Sequence, residues 1–401
     1  MKPTPASESY VPLYFLASVG SGGLAVTFFM YLMFWVPHPG RPVPIFEDIA
    51  AAWPTASLPL QGAIVVAMAG IALFVFLNIK SLLWNLTQYT AFKKTDRYRK
   101  LRASNAETTL LAMPLALAMS VNALFIAGLV FVPGLWSIVE YLFPFAMIAF
   151  AVIAYIALGT IADFLGRVLS KGGVFDVTAH NSFAQLLPSF ALAMSAVGFA
   201  APAAMSHTPW IVGVSLVGST LLGTAALIYA LLAIVTAFNS MLHYGTAEEA
   251  GPTLMIIIPL VTILSIMWMR QDHGLETTFA GHNAAADTLM FLAQMVSIQF
   301  VFLGLGLTVL KRQGYFKDFV LGSKTSPGSY ALVCPGVALS VLLQFFVNKG
   351  LVAAGVIEKF STTYWAVTIL AIAFQLAMVA LVLRLNGQHF TPRHPTAVPA
   401  E

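Results

Sequence analysis

Charged side chains are scarce in this sequence. Only 9% of its 401 residues are Asp, Glu, Lys or Arg, whereas about 25% are charged in an ordinary soluble domain. Hydrophobic residues make up 59% of the chain. Such a chain cannot cover a water-facing surface, which excludes an ordinary soluble protein. The net charge of +4 comes from local clusters, so no nucleic-acid partner is predicted.

Cysteine is almost absent as well, since Cys334 is the only one, and this excludes an intramolecular disulfide. The sequence also lacks a glycine-rich phosphate loop, a CxxC pair and a serine triad. The eight histidines fall in loops or at helix ends, so paired haem or copper ligands are missing. His273 and His282 share a segment with Asp272 and Asp287, which is typical of a solvated loop. We therefore predict no metal, no cofactor and no enzymatic activity.

Long apolar runs are what the sequence does contain. Crossing about 30 Å of hydrocarbon takes about 20 apolar residues in a helix, whose backbone groups are all satisfied internally. Ten runs reach this length, which predicts an all-α integral membrane protein with ten transmembrane helices in a single domain, residues 1–390. Residues 391–401 are predicted to be a disordered cytoplasmic tail. The runs are 12–36, 59–85, 107–132, 136–166, 182–205, 209–240, 253–270, 285–310, 328–348 and 362–385.

Basic residues alternate between the loops. The segment 93–102 contains six of them, whereas only four of the twenty in the chain, Arg41, Arg270, Lys349 and Lys359, fall on the other side. Basic loops stay in the cytoplasm, so both termini are predicted to be cytoplasmic. The basic segment itself is interpreted as a topology signal. We expect an integral membrane location, in a bacterial inner (plasma) membrane.

A short phrase recurs in the odd-numbered runs: a proline, then small or apolar residues, then a serine five to seven places on. Its recurrence once per pair of helices predicts five helical hairpins, at about 12–85, 107–166, 182–240, 253–310 and 328–385. Because a proline removes a helical hydrogen bond, we expect kinked odd helices around a central pore. The predicted kinks are at Pro12, Pro114, Pro188, Pro259 and Pro335.

Positions two, three and six after each proline share one helical face, and this face predicts the pore lining. Its phenylalanines, Phe15 and Phe190, are the candidate gates, because a ring of this size closes a narrow constriction. Close helix packing is the alternative role for its small residues and serines. The predicted pore-lining residues are Phe15, Ser18, Ser120, Phe190, Thr262, Ser265 and Ala338.

The chain resembles the tellurite-resistance/dicarboxylate transporter family, which includes plant slow-type anion channels and fungal sulfite exporters. The resemblance is clearest at VPLYFLASVGSGGLAV, residues 11–26, and at CPGVAL, residues 334–339. It implies a pseudo-five-fold bundle with odd helices around the pore, a homotrimer, and a small anion as substrate. A phenylalanine close to the ninth-helix proline plugs the pore in such proteins, but Cys334 directly precedes Pro335 here.

These observations predict a membrane transport protein that moves a small anion, an inorganic oxyanion, halide or dicarboxylate, through a pore in each subunit. Transport would be channel-like or linked to protons, for which Glu107 and Asp163 are the available carboxylates. Glu107 also fits a helix cap beside Asn105 and Thr108. The alternatives are a membrane-integral enzyme and a non-transporting scaffold subunit. The lipid bilayer is the one other partner expected.

Overall fold

The computed structural model describes residues 10–171, 175–176, 178–179 and 181–390, so the predicted tail at 391–401 lies outside the described residues. Helices dominate this part of the chain, which contains no β-strand. Ten helical spans are long and apolar enough to cross a membrane, which confirms the prediction of ten. They are α1 (Pro12–Trp35), α2 (Leu58–Phe92), α3 (Asn105–Phe131), α4 (Leu135–Lys171), α5 (Phe183–Met205), α6 (Pro209–Tyr244), α7 (Glu248–Phe279), α8 (Ala285–Arg312), α9 (Pro327–Val352) and α10 (Thr362–Phe390).

Several spans run past the ends of the predicted apolar runs. The largest difference is in α7, which continues to Phe279, although 271–279 was expected to be a polar loop. A helix does not need apolar residues once it leaves the hydrocarbon, because its backbone hydrogen bonds are internal at any depth. Two short helices, Phe46–Ala52 and Asp96–Arg102, lie in the connections that follow α1 and α2.

The five odd spans form a closed ring. Each contacts the next odd span along the chain, and α9 contacts α1. Every even span packs against the odd span before it and the odd span after it, with α10 between α9 and α1. The same contact pattern therefore occurs five times around the molecule, while rotational symmetry between the hairpins stays a prediction.

The repeated prolines lie at the start of the odd helices. In α3, α5, α7 and α9 a 3-10 segment precedes the α-helix, and the proline is the second or third α-helical residue. Pro12 opens the 3-10 turn that precedes the α-helix of α1. First-turn residues have no internal acceptor for their N–H, so proline costs no hydrogen bond there. The five prolines predicted to kink the odd helices therefore lie where a 3-10 segment meets an α-helix: Pro12, Pro114, Pro188, Pro259 and Pro335.

Both described ends of the chain meet at one end of the bundle. The Tyr14 hydroxyl hydrogen-bonds to Nδ1 of His389 (3.2 Å), and the Tyr330 hydroxyl donates to Asn386 Oδ1 (2.9 Å). We call this end the terminus face and the other end the distal face. The odd spans all begin at the terminus face and run towards the distal face. Depth can therefore be followed by residue number along each odd span.

Candidate functional site

A cavity of about 370 Å³ is lined by all five odd spans. The even spans add Phe143, Ala146 and Phe150 of α4 and Thr288 of α8 to its wall. Side chains along its length are mostly apolar. Thr262 and Asn122 are the two polar side chains that line its inner part, and Arg270, Asp272, His273, Glu276 and Lys349 line its outer part. Because these charged residues lie late in α7 and α9, the charged part of the cavity is nearest the distal face.

A second, much smaller cavity of about 10 Å³ lies closer to the terminus face. It is lined by residues that precede the first cavity's lining in each span, such as Leu187 and Ile256. Three residues, Phe190, Pro259 and Cys334, line both cavities and therefore lie between them. We call these three residues the neck. The neck is at the level of the repeated prolines, since Phe190 follows Pro188 by two residues and Cys334 precedes Pro335.

Three of the predicted pore-lining residues line the cavity: Phe190, Thr262 and Ala338. Thr262 is held in place by its neighbours, because its hydroxyl donates to the Ile258 carbonyl oxygen (3.0 Å) and accepts a hydrogen bond from Nε2 of Gln299 (2.5 Å). Gln299 is fully buried and belongs to α8. An even span thus fixes the rotamer of a lining residue on an odd span.

The other four predicted residues lie away from the cavity. The Phe15 ring is fully buried against Tyr89 of α2, with ring centroids 5.9 Å apart. The hydroxyl of Ser18 donates to the carbonyl oxygen of Asn78 in α2 (3.0 Å). Ser120 and Ser265 donate to carbonyl oxygens four residues earlier in their own helices, at 2.8 and 2.7 Å.

The misplacement has a geometric cause. A constant 100° per residue was counted from each proline, but Pro12 lies in a 3-10 turn, where each residue advances about 120°. The three-residue turn thus adds about 60° to the helical phase of α1. The cavity-lining residues of α1 are Val19, Gly20, Gly23, Val26, Phe29, Met30 and Met33. Along α7, the cavity lining beyond Thr262 continues at Ile263 and Ile266, on either side of the predicted Ser265.

Glu107 is not part of the cavity. It is almost completely buried at the start of α3, where Arg102 Nε lies 2.9 Å from its Oε1 and Arg167 of α4 pairs with its Oε2. Arg102 also contacts the exposed Asp163 at 3.2 Å. These ion pairs attach the basic connection after α2 to the start of α3 and the end of α4. Glu107 is thus placed as an anchor at the terminus face, away from the mouth of the cavity.

The sequence did not predict that the charged residues of α7 line the cavity. The predicted apolar run ends at residue 270, and the helix is expected to end with it. The absence of a proline between Gln271 and Phe279 is the signal that would have extended the helix.

Among residues that the structure describes, no three His, Cys, Asp or Glu side chains are close enough together to hold a metal ion.

Comparisons with known proteins do not assign the chain. No protein family model matches it. A search of curated proteins finds no significant match. The ring, the cavity and the neck are therefore the features that indicate a function.

Proposed function

We propose that this integral membrane protein moves a small anion across the bilayer through the cavity enclosed by the odd spans, with Phe190 as the gate. The observation that carries the proposal is the neck. Phe190, Pro259 and Cys334 separate a large cavity on the distal side from a small one towards the terminus face. One of these three residues carries a bulky ring, which a change of rotamer would move out of the neck.

The resemblance to the tellurite-resistance/dicarboxylate transporters supports this proposal and the choice of an anion. The phenylalanine expected near the ninth-helix proline is replaced by Cys334, which lines the neck. Phe190 reaches the same neck from α5. We propose that the gating ring has changed spans while its depth in the pore has stayed the same. The homotrimer and the cytoplasmic termini are parts of the same proposal.

Transport accounts for the cavity better than the alternatives. A scaffold subunit has no need of a cavity enclosed by five helices. An enzyme needs acid, base or nucleophilic groups that converge at one depth. The inner part of this cavity offers mostly apolar groups with Thr262 and Asn122, which suits weak binding and fast passage. We therefore propose a channel-like or proton-linked transporter without enzymatic activity.

The experiment is anion flux into liposomes that contain the purified protein, with chloride, nitrate and a small dicarboxylate as test solutes. Phe190→Ala is expected to raise the flux about tenfold or more, because a barrier lower by about 1.4 kcal/mol is sufficient for that. Phe15→Ala is the matched control. Its ring is as deeply buried, but it contacts Tyr89 and does not line the cavity.

Removing either ring costs about 3–5 kcal/mol of stability in a well-packed site, so folding is checked for both variants by thermal melting. Phe190→Leu and Phe15→Leu repeat the comparison with a smaller loss of volume. The gate is contradicted if the two positions have the same effect on flux. A folded wild-type protein and a folded Phe190→Ala variant that both carry no anion would contradict the proposed function itself.

A further inference from the structure

Arg270 is the deepest charged side chain on the cavity wall of α7. Along α7 it follows Pro259 of the neck by eleven residues, which is about 16 Å of α-helix, whereas Asp272, His273 and Glu276 lie farther towards the distal face. Lys349 on α9 follows Pro335 by fourteen residues. A solute that enters from the distal face thus passes the other charged groups of α7 before it meets Arg270 and the apolar inner part.

The position of Arg270 is built into the packing of two spans. Gly274 is one helical turn later on the same face of α7, and a Cβ there would be 2.4 Å from the carbonyl oxygen of Ala203 in α5. This close approach brings the Arg270 guanidinium to α5, where Nη1 donates to the Val197 carbonyl oxygen (2.6 Å). Val197 lies in the last turn of the α-helix Leu187–Phe199.

The hydrogen bond to Val197 occupies only some of the N–H donors of the Arg270 guanidinium. Arginine has five N–H donors in a planar fork, and the contact with Val197 uses one of them. Among the described residues no carboxylate forms an ion pair with Arg270, although Asp272 and Glu276 follow it on the same helix. A positive group with free donors therefore lines the cavity at the boundary between its charged and its apolar parts.

We propose that Arg270 is the anion-binding residue of the cavity and that it selects planar oxyanions, such as nitrate and small carboxylates, over spherical halides. The reason is geometric: two parallel N–H groups match two oxygens of a planar anion, whereas a halide has no second acceptor atom. The backbone contact with Val197 fixes the plane of the fork. This inference rests on the proposed function, because it assigns the substrate class of the same cavity.

The test compares nitrate with bromide, which has similar hydration, and formate with chloride, in the liposome flux assay. Wild-type protein is expected to carry the planar anion faster in each pair. Arg270→Lys keeps the charge and can still donate to Val197, but it loses the fork. The nitrate-to-bromide ratio is then expected to fall about tenfold, the value of one charge-assisted hydrogen bond. Lys349→Gln is the control, with an unchanged ratio expected.

Each outcome separates the two proposals. Anion flux in which Arg270→Lys keeps the wild-type ratios would overturn the role of Arg270 and leave the proposed function intact. Absence of anion flux in the folded wild-type protein would overturn the proposed function. Arg270→Lys keeps a donor for the Val197 carbonyl oxygen, and its nitrate-to-bromide ratio does not depend on expression level. A Lys349→Gln ratio that falls as far as the Arg270→Lys ratio would also overturn the proposal.

Discussion

The odd and even spans are similarly apolar but have opposite surroundings. Mean hydropathy is 1.6–2.1 in the most apolar window of the odd spans and 1.9–2.6 in that of the even spans. Of the residues in those windows, 61–94% are buried in the odd spans and only 22–39% in the even ones. Lipid tails are as apolar as leucine, so hydrophobicity does not select which helix is central. Close packing makes that selection.

The glycines show how close packing selects which helices are central. In α1, a Cβ on Gly20 or Gly23 would be 2.8 Å from a methyl group of Val333 or Val337 in α9. Nothing lies within 4 Å of the corresponding position at Gly62 in α2 or Gly159 in α4. Gly20 and Gly23 thus allow α1 to approach α9 and close the ring, whereas Gly62 and Gly159 face open space.

The strongest test of this comparison is the ion pair that joins an odd span to an even one. Glu107→Ala leaves Arg102 and Arg167 without their buried partner. We expect a loss of about 2–3 kcal/mol, less than the ~3–5 kcal/mol of a fully buried pair, because the arginines are 38% and 21% exposed. Unfolding in detergent measures it. Asp163→Asn is the control, and an equal loss there would contradict the anchoring role of Glu107.

Glycine substitutions come next in expected size. Gly23→Ala is expected to destabilise the protein by about 1–3 kcal/mol, because the added methyl group must displace Val337. Gly159→Ala is expected to stabilise it by about 0.5–1 kcal/mol, since alanine favours the helix and meets no atom. Melting temperatures in the same detergent give both values. A shift of the same sign at the two sites would break the contrast between odd and even spans.

The smallest effect is expected in the connection between α8 and α9, outside the ring. Lys324 Nζ is 2.6 Å from Asp318 Oδ2, and this hydrogen bond lowers the pKa of the Asp318 carboxyl. A lowered pKa contributes stability above the ordinary value near 3.9, and this contribution is lost as the pH falls through the folded pKa. Lys324→Gln is thus expected to lower the melting temperature slightly at pH 7.

At a pH below the folded pKa of Asp318, the same variant and the wild-type protein are expected to melt alike. Lys311→Gln, at the end of α8, is the control with an unchanged difference between the two pH values. A Lys324→Gln effect that is equal at both pH values would show that the lysine acts through something other than the Asp318 charge. An effect as large as that of Glu107→Ala would show that exposed connections matter as much as the ring.

Some of the candidate site was within reach of the sequence. The repeated proline marked the level of the neck, and two or three residues beyond it lie Phe190, Thr262 and Ala338, which line the cavity. The sequence could not predict which serines face the cavity, because a serine hydroxyl in a helix can donate to a carbonyl oxygen of its own helix, as those of Ser120 and Ser265 do. The 3-10 turn at Pro12 also changed the helical phase, which no residue pattern recorded.

The sequence by itself determined that the chain has ten membrane helices, because each must hide its backbone from lipid and therefore needs about 20 apolar residues. It also carried the proline repeat that separates odd from even spans. Only the tertiary structure decided which side chains face the cavity, since that depends on helix type and on contacts such as Gly274 with Ala203. The same contacts placed Arg270 at the cavity wall, and α7 adds Asp272, His273 and Glu276 to that wall because it remains helical beyond its apolar run.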